Sequence, residues 1–208
     1  EDPKALECIP MLKRSDIKKE AAKIINEELT VDDSLFLYHD VCTNGIGYVD
    51  LMFKTDSIAP EQIPYLGLLK SVLGYVDTEN YTYGELFNEI NANTGGINCG
   101  VEVFDRADST EEFQAMFSVR GKALYTKMDF LFKMIGEILN SSKLEDTKRL
   151  YEIVASVKSR AQVNLTGAGH STAVLRAAAY SSPMAAFQDE MAGIGSYLFI
   201  KKKKKDFE

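Results

Sequence analysis

Few side chains in this 208-residue chain could hold a metal or move a proton: His39 and His170, Cys8, Cys42 and Cys99, and an acidic group at Asp105, Asp108, Glu111 and Glu112. A metal centre needs three or four ligands in one shell. The two histidines lie far apart, with no Cys or His at ligand spacing, so the residues predict no metal site made by this chain. His39 is expected at the end of a strand beside Asp40, and His170, between Gly169 and Ser171, is expected to cap a helix start. Three cysteines at unrelated spacings form neither a disulfide framework nor a C-x-x-C pair, which reads as reduced thiols in a cytosol-like compartment. The acidic group lacks the spacing and the glycine of a calcium loop and reads as a solvated hairpin tip. Gly167-Ala168-Gly169 matches neither phosphate-loop pattern and reads as a hinge between helices. No G-x-S-x-G elbow is present.

The elements that would position these groups follow from hydrophobic period. Lys23 to Leu29 and Ser34 to Val41 are candidate strands about a turn at Val31-Asp32-Asp33. They are expected to lead as an antiparallel meander into the apolar run Ile46 to Phe53, which suits a buried strand. Pro60 fits a first helical turn, and Ile63, Leu66, Leu69, Val72, Leu73 and Val76 trace one stripe of a helix expected over 63–76. Thr82 and Glu85 form a capping box that starts a second helix at Tyr83, and Gly95-Gly96 stops it. From Ile97 the period is two, with Ile97, Cys99, Val101 and Val103 on one side. After a longish polar loop, the alternation of Phe113, Ala115, Phe117 and Val119 gives the second arm of a hairpin, ending at Gly121. Helical stripes follow from Tyr125 to Leu139 and from Leu150 to Ala161, then an alanine-rich helix over 171–180 and one from Pro183 through Met191. Lys201 to Lys205 either meet an acidic partner or membrane surface or form the polar side of a helix leaving Ile200, or a frayed end. Strands first and helices after predict an α+β fold, with an antiparallel sheet carrying helices on one face.

Bulk composition limits function. With the five lysines 201–205 set aside, 19 basic side chains face 31 acidic ones, which argues against nucleic-acid binding by the body of the domain. No uninterrupted apolar run approaches the ~20 residues that cross a bilayer, and Glu1-Asp2-Pro3-Lys4 does not read as a signal peptide. A hydrophobic content of 45% is enough for a core burying roughly 70% of the extended chain's surface.

Three blocks, in order, resemble one domain of the inverted-zincin metallopeptidases of the pitrilysin and insulinase type, in the presequence-protease and falcilysin branch. They are Thr43-Asn44-Gly45-Ile46-Gly47-Tyr48, Thr94-Gly95-Gly96-Ile97, and Gly169-His170-Ser171 running on to Met191-Ala192-Gly193-Ile194-Gly195-Ser196-Tyr197. Cys8 to Ile17 is similar to the end of that branch's central linker. The resemblance implies a linker end over 1–19 and a single α+β domain over 20–208, the first domain of the second half of a two-halved enzyme, C-terminally truncated before its final helix and strand. It implies a zinc metalloendopeptidase that degrades short unstructured peptides in a closed chamber, with zinc held by H-x-x-E-H elsewhere in the parent. At the equivalent position here stand Leu66, Gly67, Leu68, Leu69 and Lys70, so no catalytic, cofactor-binding or metal residue carries over. The expected role is a non-catalytic chamber-wall fragment, inactive alone, whose partners are the other domains of the same polypeptide and peptide substrates. The alternative is a catalytically dead peptide-binding or scaffold module. The expected compartment is cytoplasmic, or an organelle lumen in a eukaryote.

Overall fold

Runs of alternating β-branched and apolar residues become strands, and three- and four-residue spacings become helices. The computed structural model describes residues 10–206 except Ala22 and Ile24; residues 1–9 of the expected linker, with Cys8, lie outside the described residues. The chain divides into two compact units, Glu1–Asn44 and Gly45–Glu208, so the first two strands group with the N-terminal unit rather than with the domain body.

In the N-terminal unit β1 (Glu27–Val31) pairs antiparallel with β2 (Ser34–Tyr38). Asp32 and Asp33 both take positive φ, +44° and +64°, as a two-residue hairpin turn requires. The expected meander into Ile46 is not formed: β1 and β2 make a two-stranded sheet of their own. Alternating hydrophobicity marks a strand but does not name its partner.

The second unit holds a three-stranded antiparallel sheet of β3 (Ile46–Lys54), β4 (Ile97–Arg106) and β5 (Ser109–Leu124) in the order β3-β5-β4. β5 is central and continues through Gly121, which pairs with Val49 on one side and Ile97 on the other. The hairpin loop is shorter than expected, because β4 reaches Arg106 and only Ala107-Asp108 separate it from β5. Among the described residues seven α-helices complete the unit: α1 (Ile63–Val72), α2 (Tyr83–Asn93), α3 (Met128–Ser141), α4 (Thr147–Gly167), α5 (Gly169–Ala178), α6 (Pro183–Ala192) and α7 (Ile194–Asp206).

The Thr82–Glu85 capping box forms as read: Glu85 N–H donates to Thr82 Oγ1 at 3.3 Å, and Thr82 N–H donates to Glu85 Oε2 at 2.9 Å. α1, however, ends at Val72 rather than Val76. Leu73 turns extended and Gly74 takes φ +84°, the left-handed conformation that stops a helix and suits glycine. Leu73 and Val76 remain buried all the same.

The core lies between the sheet and the helices. Ala115, Phe117, Val119 and Ala123 from β5 meet Leu131, Met134, Ile135 and Ile138 from α3, Leu86 and Ile90 from α2, Leu66 from α1, and Phe187 and Met191 from α6. Each such large apolar side chain contributes roughly 1.5–3 kcal/mol on burial. The opposite sheet face carries an ion-pair network: Arg120 of β5 bridges Asp50 of β3 (2.7 Å) and Glu102 of β4 (3.2 Å). The α+β class, with an antiparallel sheet, is thus as the sequence indicated.

Candidate functional site

On α1, the position where a metal-binding helix would carry its ligands is filled by hydrocarbon and closed by backbone. Leu66 is buried in the core, and a Cβ at Gly67 would stand 2.9 Å from the Met191 carbonyl oxygen of α6. Lys70 supplies an ammonium, which cannot ligate. A zinc ion therefore does not fit this segment, and among the described residues no three His, Cys, Asp or Glu side chains converge as a metal would need.

The two histidines are separate. His39 follows β2 as expected, and its Nδ1 donates to the Ile25 carbonyl at 2.8 Å. His170 is not a cap: the N-cap position of α5 is Ala168, without a side-chain hydrogen bond, and His170 is the exposed second residue of the helix. Gly167 is the last residue of α4 and Gly169 the first of α5, with Ala168 alone between them. At the tip of the β4–β5 hairpin Arg106 pairs in bidentate fashion with Asp108 (2.9 Å for each bond) and with Glu112 at 3.3 Å. The acidic group is a solvated hairpin tip in which Arg106 pairs with two of the four carboxylates. Lys201–Lys204 lie on α7, where Lys203 Nζ sits 5.5 Å from the Tyr65 ring centre and Lys204 Nζ 5.6 Å from that of Tyr151.

The glycine-rich block around Gly193 is a structural latch. Asp189 is 1% exposed. Its Oδ1 accepts from Ile194 N–H at 3.0 Å, and its Oδ2 accepts from Gly195 N–H at 3.1 Å and from Arg176 Nη1 at 2.7 Å. One carboxylate thus satisfies two of the open N–H groups at the start of α7 and ties α5 to α6. A side chain at 193 would collide with that carboxylate, and one at 195 would meet first the Glu190 carboxylate and then Asp189 Oδ2 at 3.0 Å, so glycine at 193 above all lets Asp189 reach the helix end. No substrate-facing role for this block follows from its geometry.

What remains is a groove of about 860 Å³, a volume typical of ligand sites. One wall is β4 together with the glycine before it, an unbroken run from Gly96 to Glu102 with six residues on the strand. A sheet face would contribute every second residue, so an unbroken run means that the groove follows the strand's edge. β4 is an outer strand of the three-stranded order, and this edge has no strand partner among the described residues. The other walls come from the end of α1 with Lys70 and Ser71, from α2 with Phe87, and from α4 with Arg149, Glu152 and Arg160.

Two of these charges are engaged. Arg149 pairs with Glu152 at 3.0 Å, donates from Nε to the Tyr75 carbonyl at 2.9 Å, and stacks over Tyr83. Glu102 is held by Arg120. Lys70, half-buried, and Arg160 have no hydrogen bond or ion pair among the described residues. Burial lowers the Lys70 ammonium's pKa, and desolvation pushes the Cys99 thiol up to about 11. The sequence marked β4 but not this groove, since its walls come from residues up to 90 positions apart.

A family model described as associated with peptidase family M-sixteen, subfamily C, matches residues 1–202. Protein HypA of Clostridium perfringens is 37% identical over 195 residues, covering 94% of this chain and 20% of that protein. A mitochondrial presequence protease of Yarrowia lipolytica is 28% identical over 200 residues, 96% of this chain and 20% of its own length. Presequence protease 1, chloroplastic/mitochondrial, of Arabidopsis thaliana is 28% identical over 210 residues, 99% and 19%. The chain spans about a fifth of the length of these relatives.

Proposed function

The chain belongs to the family associated with the subfamily C peptidases of family M-sixteen, and from that membership we propose that it is a non-catalytic, wall-forming part of a zinc metalloendopeptidase that degrades short unstructured peptides. The observation that carries this is α1: at the position of a metal-binding helix it presents Leu66, Gly67, Leu68, Leu69 and Lys70, and the α6 backbone occupies the space beside Gly67. Two relatives are named presequence proteases, which supports a peptide substrate for the parent. The zinc is held by another part of that parent, and the partners of this portion are its other domains and the enclosed peptide. Among the described residues no helix is long and apolar enough to cross a membrane. The compartment is aqueous, cytosolic or an organelle lumen.

Incubating the purified chain with zinc and a quenched fluorescent peptide tests the assignment. The expected result is no turnover above the zinc-only blank. Turnover that a chelator abolishes, and that survives replacement of both His39 and His170, overturns it. Sequencing the flanking coding region gives the second arm: an upstream H-x-x-E-H is expected, and its absence would make the chain part of a peptide-binding scaffold instead.

A further inference from the structure

Among the side chains lining the groove beside β4, Lys70 and Cys99 are the two that become strong nucleophiles on losing a proton. Burial acts on them in opposite senses, because it disfavours whichever form is charged. The Lys70 ammonium is half-buried and its pKa is lowered by desolvation, so more of it is free amine at neutral pH than for a lysine in water. The Cys99 thiol is pushed up to about 11 by the same cause, which keeps it protonated and unreactive. The nucleophile this groove presents is therefore a primary amine.

The lining leaves that amine unclaimed. Its two carboxylates are already engaged, Glu102 by Arg120 at 3.2 Å and Glu152 by Arg149 at 3.0 Å, and Lys70 has no hydrogen bond or ion pair among the described residues. Arg149 and Arg160 add two more positive charges to the same lining, and desolvation and cationic neighbours are the conditions that activate a lysine amine. Arg160 is exposed and has no ion pair among the described residues. Its guanidinium fork is open to an anion, and a phosphate fits it in bidentate fashion. Phe87 is 57% exposed on the same groove and offers a ring face. A volume of about 860 Å³ takes a small organic molecule rather than a bare ion.

We propose that the groove is a covalent site for a small aldehyde carrying a phosphate, with Lys70 as the nucleophile, Arg160 as the phosphate anchor and Phe87 as the surface for the apolar body. The amine lone pair attacks the carbonyl carbon and a C–N bond forms. One proton passes from nitrogen to the carbonyl oxygen, giving a carbinolamine. Loss of the hydroxyl with the second N–H proton releases water and leaves a neutral imine, with nothing oxidised or reduced. The reaction does not rest on the wall-domain role: its readout is a covalent label, not peptide turnover, so either can fail alone.

The test treats the 208-residue chain with one equivalent of pyridoxal 5′-phosphate at pH 7, fixes the imine with borohydride and maps the label by digestion and mass spectrometry. Lys70 is expected to carry at least ~5-fold more label than exposed Lys201 or Lys202. In denaturing urea that preference disappears, because the groove is gone. Arg160→Gln, at an exposed position, lowers the Lys70 label about tenfold and leaves that on Lys201 unchanged. The urea comparison uses the unaltered sequence, so it decides the matter even if a variant folds poorly. Labelling spread evenly over the lysines, a Lys70 preference that persists in urea, or a Lys70 label unmoved by Arg160→Gln overturns the proposal.

Discussion

Asp189→Ala puts the latch to the test. The carboxylate accepts two backbone N–H bonds at the start of α7 and one from Arg176, and it is 1% exposed. A hydrogen bond to a charged group contributes about 1.5–3 kcal/mol. Taking the low end for the two backbone bonds, and adding nothing for the half-exposed arginine, gives a loss of about 3 kcal/mol. For a domain of this size that lowers Tm by roughly 6–12 °C. Asp189→Asn keeps one accepting oxygen and places a donor against the second N–H, so it falls between wild type and alanine. Thermal unfolding followed by circular dichroism at 222 nm, with urea midpoints as a second measure, reads the order. A loss under 1 kcal/mol for Asp189→Ala, or an asparagine variant less stable than the alanine one, refutes the latch.

Gly67→Ala should cost about 1–3 kcal/mol, because the new methyl meets the Met191 carbonyl oxygen of α6 rather than a movable side chain; urea midpoints check this. Zinc added to the chain should leave Tm unchanged, since a ligand of the folded state alone would raise it. Glu137 accepts from the Asn80 backbone and side chain at 2.9–3.2 Å, and hydrogen bonds from Thr78 and Asn80 hold its pKa below the ordinary 4.5. Its folded value lies under its unfolded one, so its stabilisation is present above pH 4.5 and disappears as pH falls through the folded value. Glu137→Gln should flatten that acid limb of a stability-versus-pH curve. Cys42 is exposed, whereas the Cys99 thiol is pushed up to about 11 by burial. At pH 8 Cys42 should therefore be alkylated by iodoacetamide well before Cys99, as peptide mapping would show.

Local chemistry was the most legible part of the sequence. The Thr82–Glu85 box, the apolar run from Ile46 and the start of α6 at Pro183 each depend on residues a few positions apart, and each forms where its residues indicate. The end of α1 was readable in principle, because Gly74 follows the last helical residue by two positions, but the apolar stripe through Leu73 and Val76 ran past it. Those two side chains are buried by packing, not by continuing the helix. Strand partners were not legible: nothing in the alternation of β5 says that it lies between β3 and β4. Asp189 was hidden for another reason, since a carboxylate is expected at the surface and its partners lie on different helices. The groove was least legible of all, being the gap left by one strand edge and three helices.

The close approach of α1 to α6 also constrains how this sequence can drift. Gaining a catalytic metal would require imidazoles and a carboxylate on α1, yet Leu66 is enclosed by the core and the backbone of Met191 stands against Gly67. A first step at Leu66 would lose packing before any ligand shell existed to repay it. Selection acting one substitution at a time would meet a barrier in that direction, while the groove walls at Lys70, Phe87 and Arg160, resting on no such contact, stay open to change.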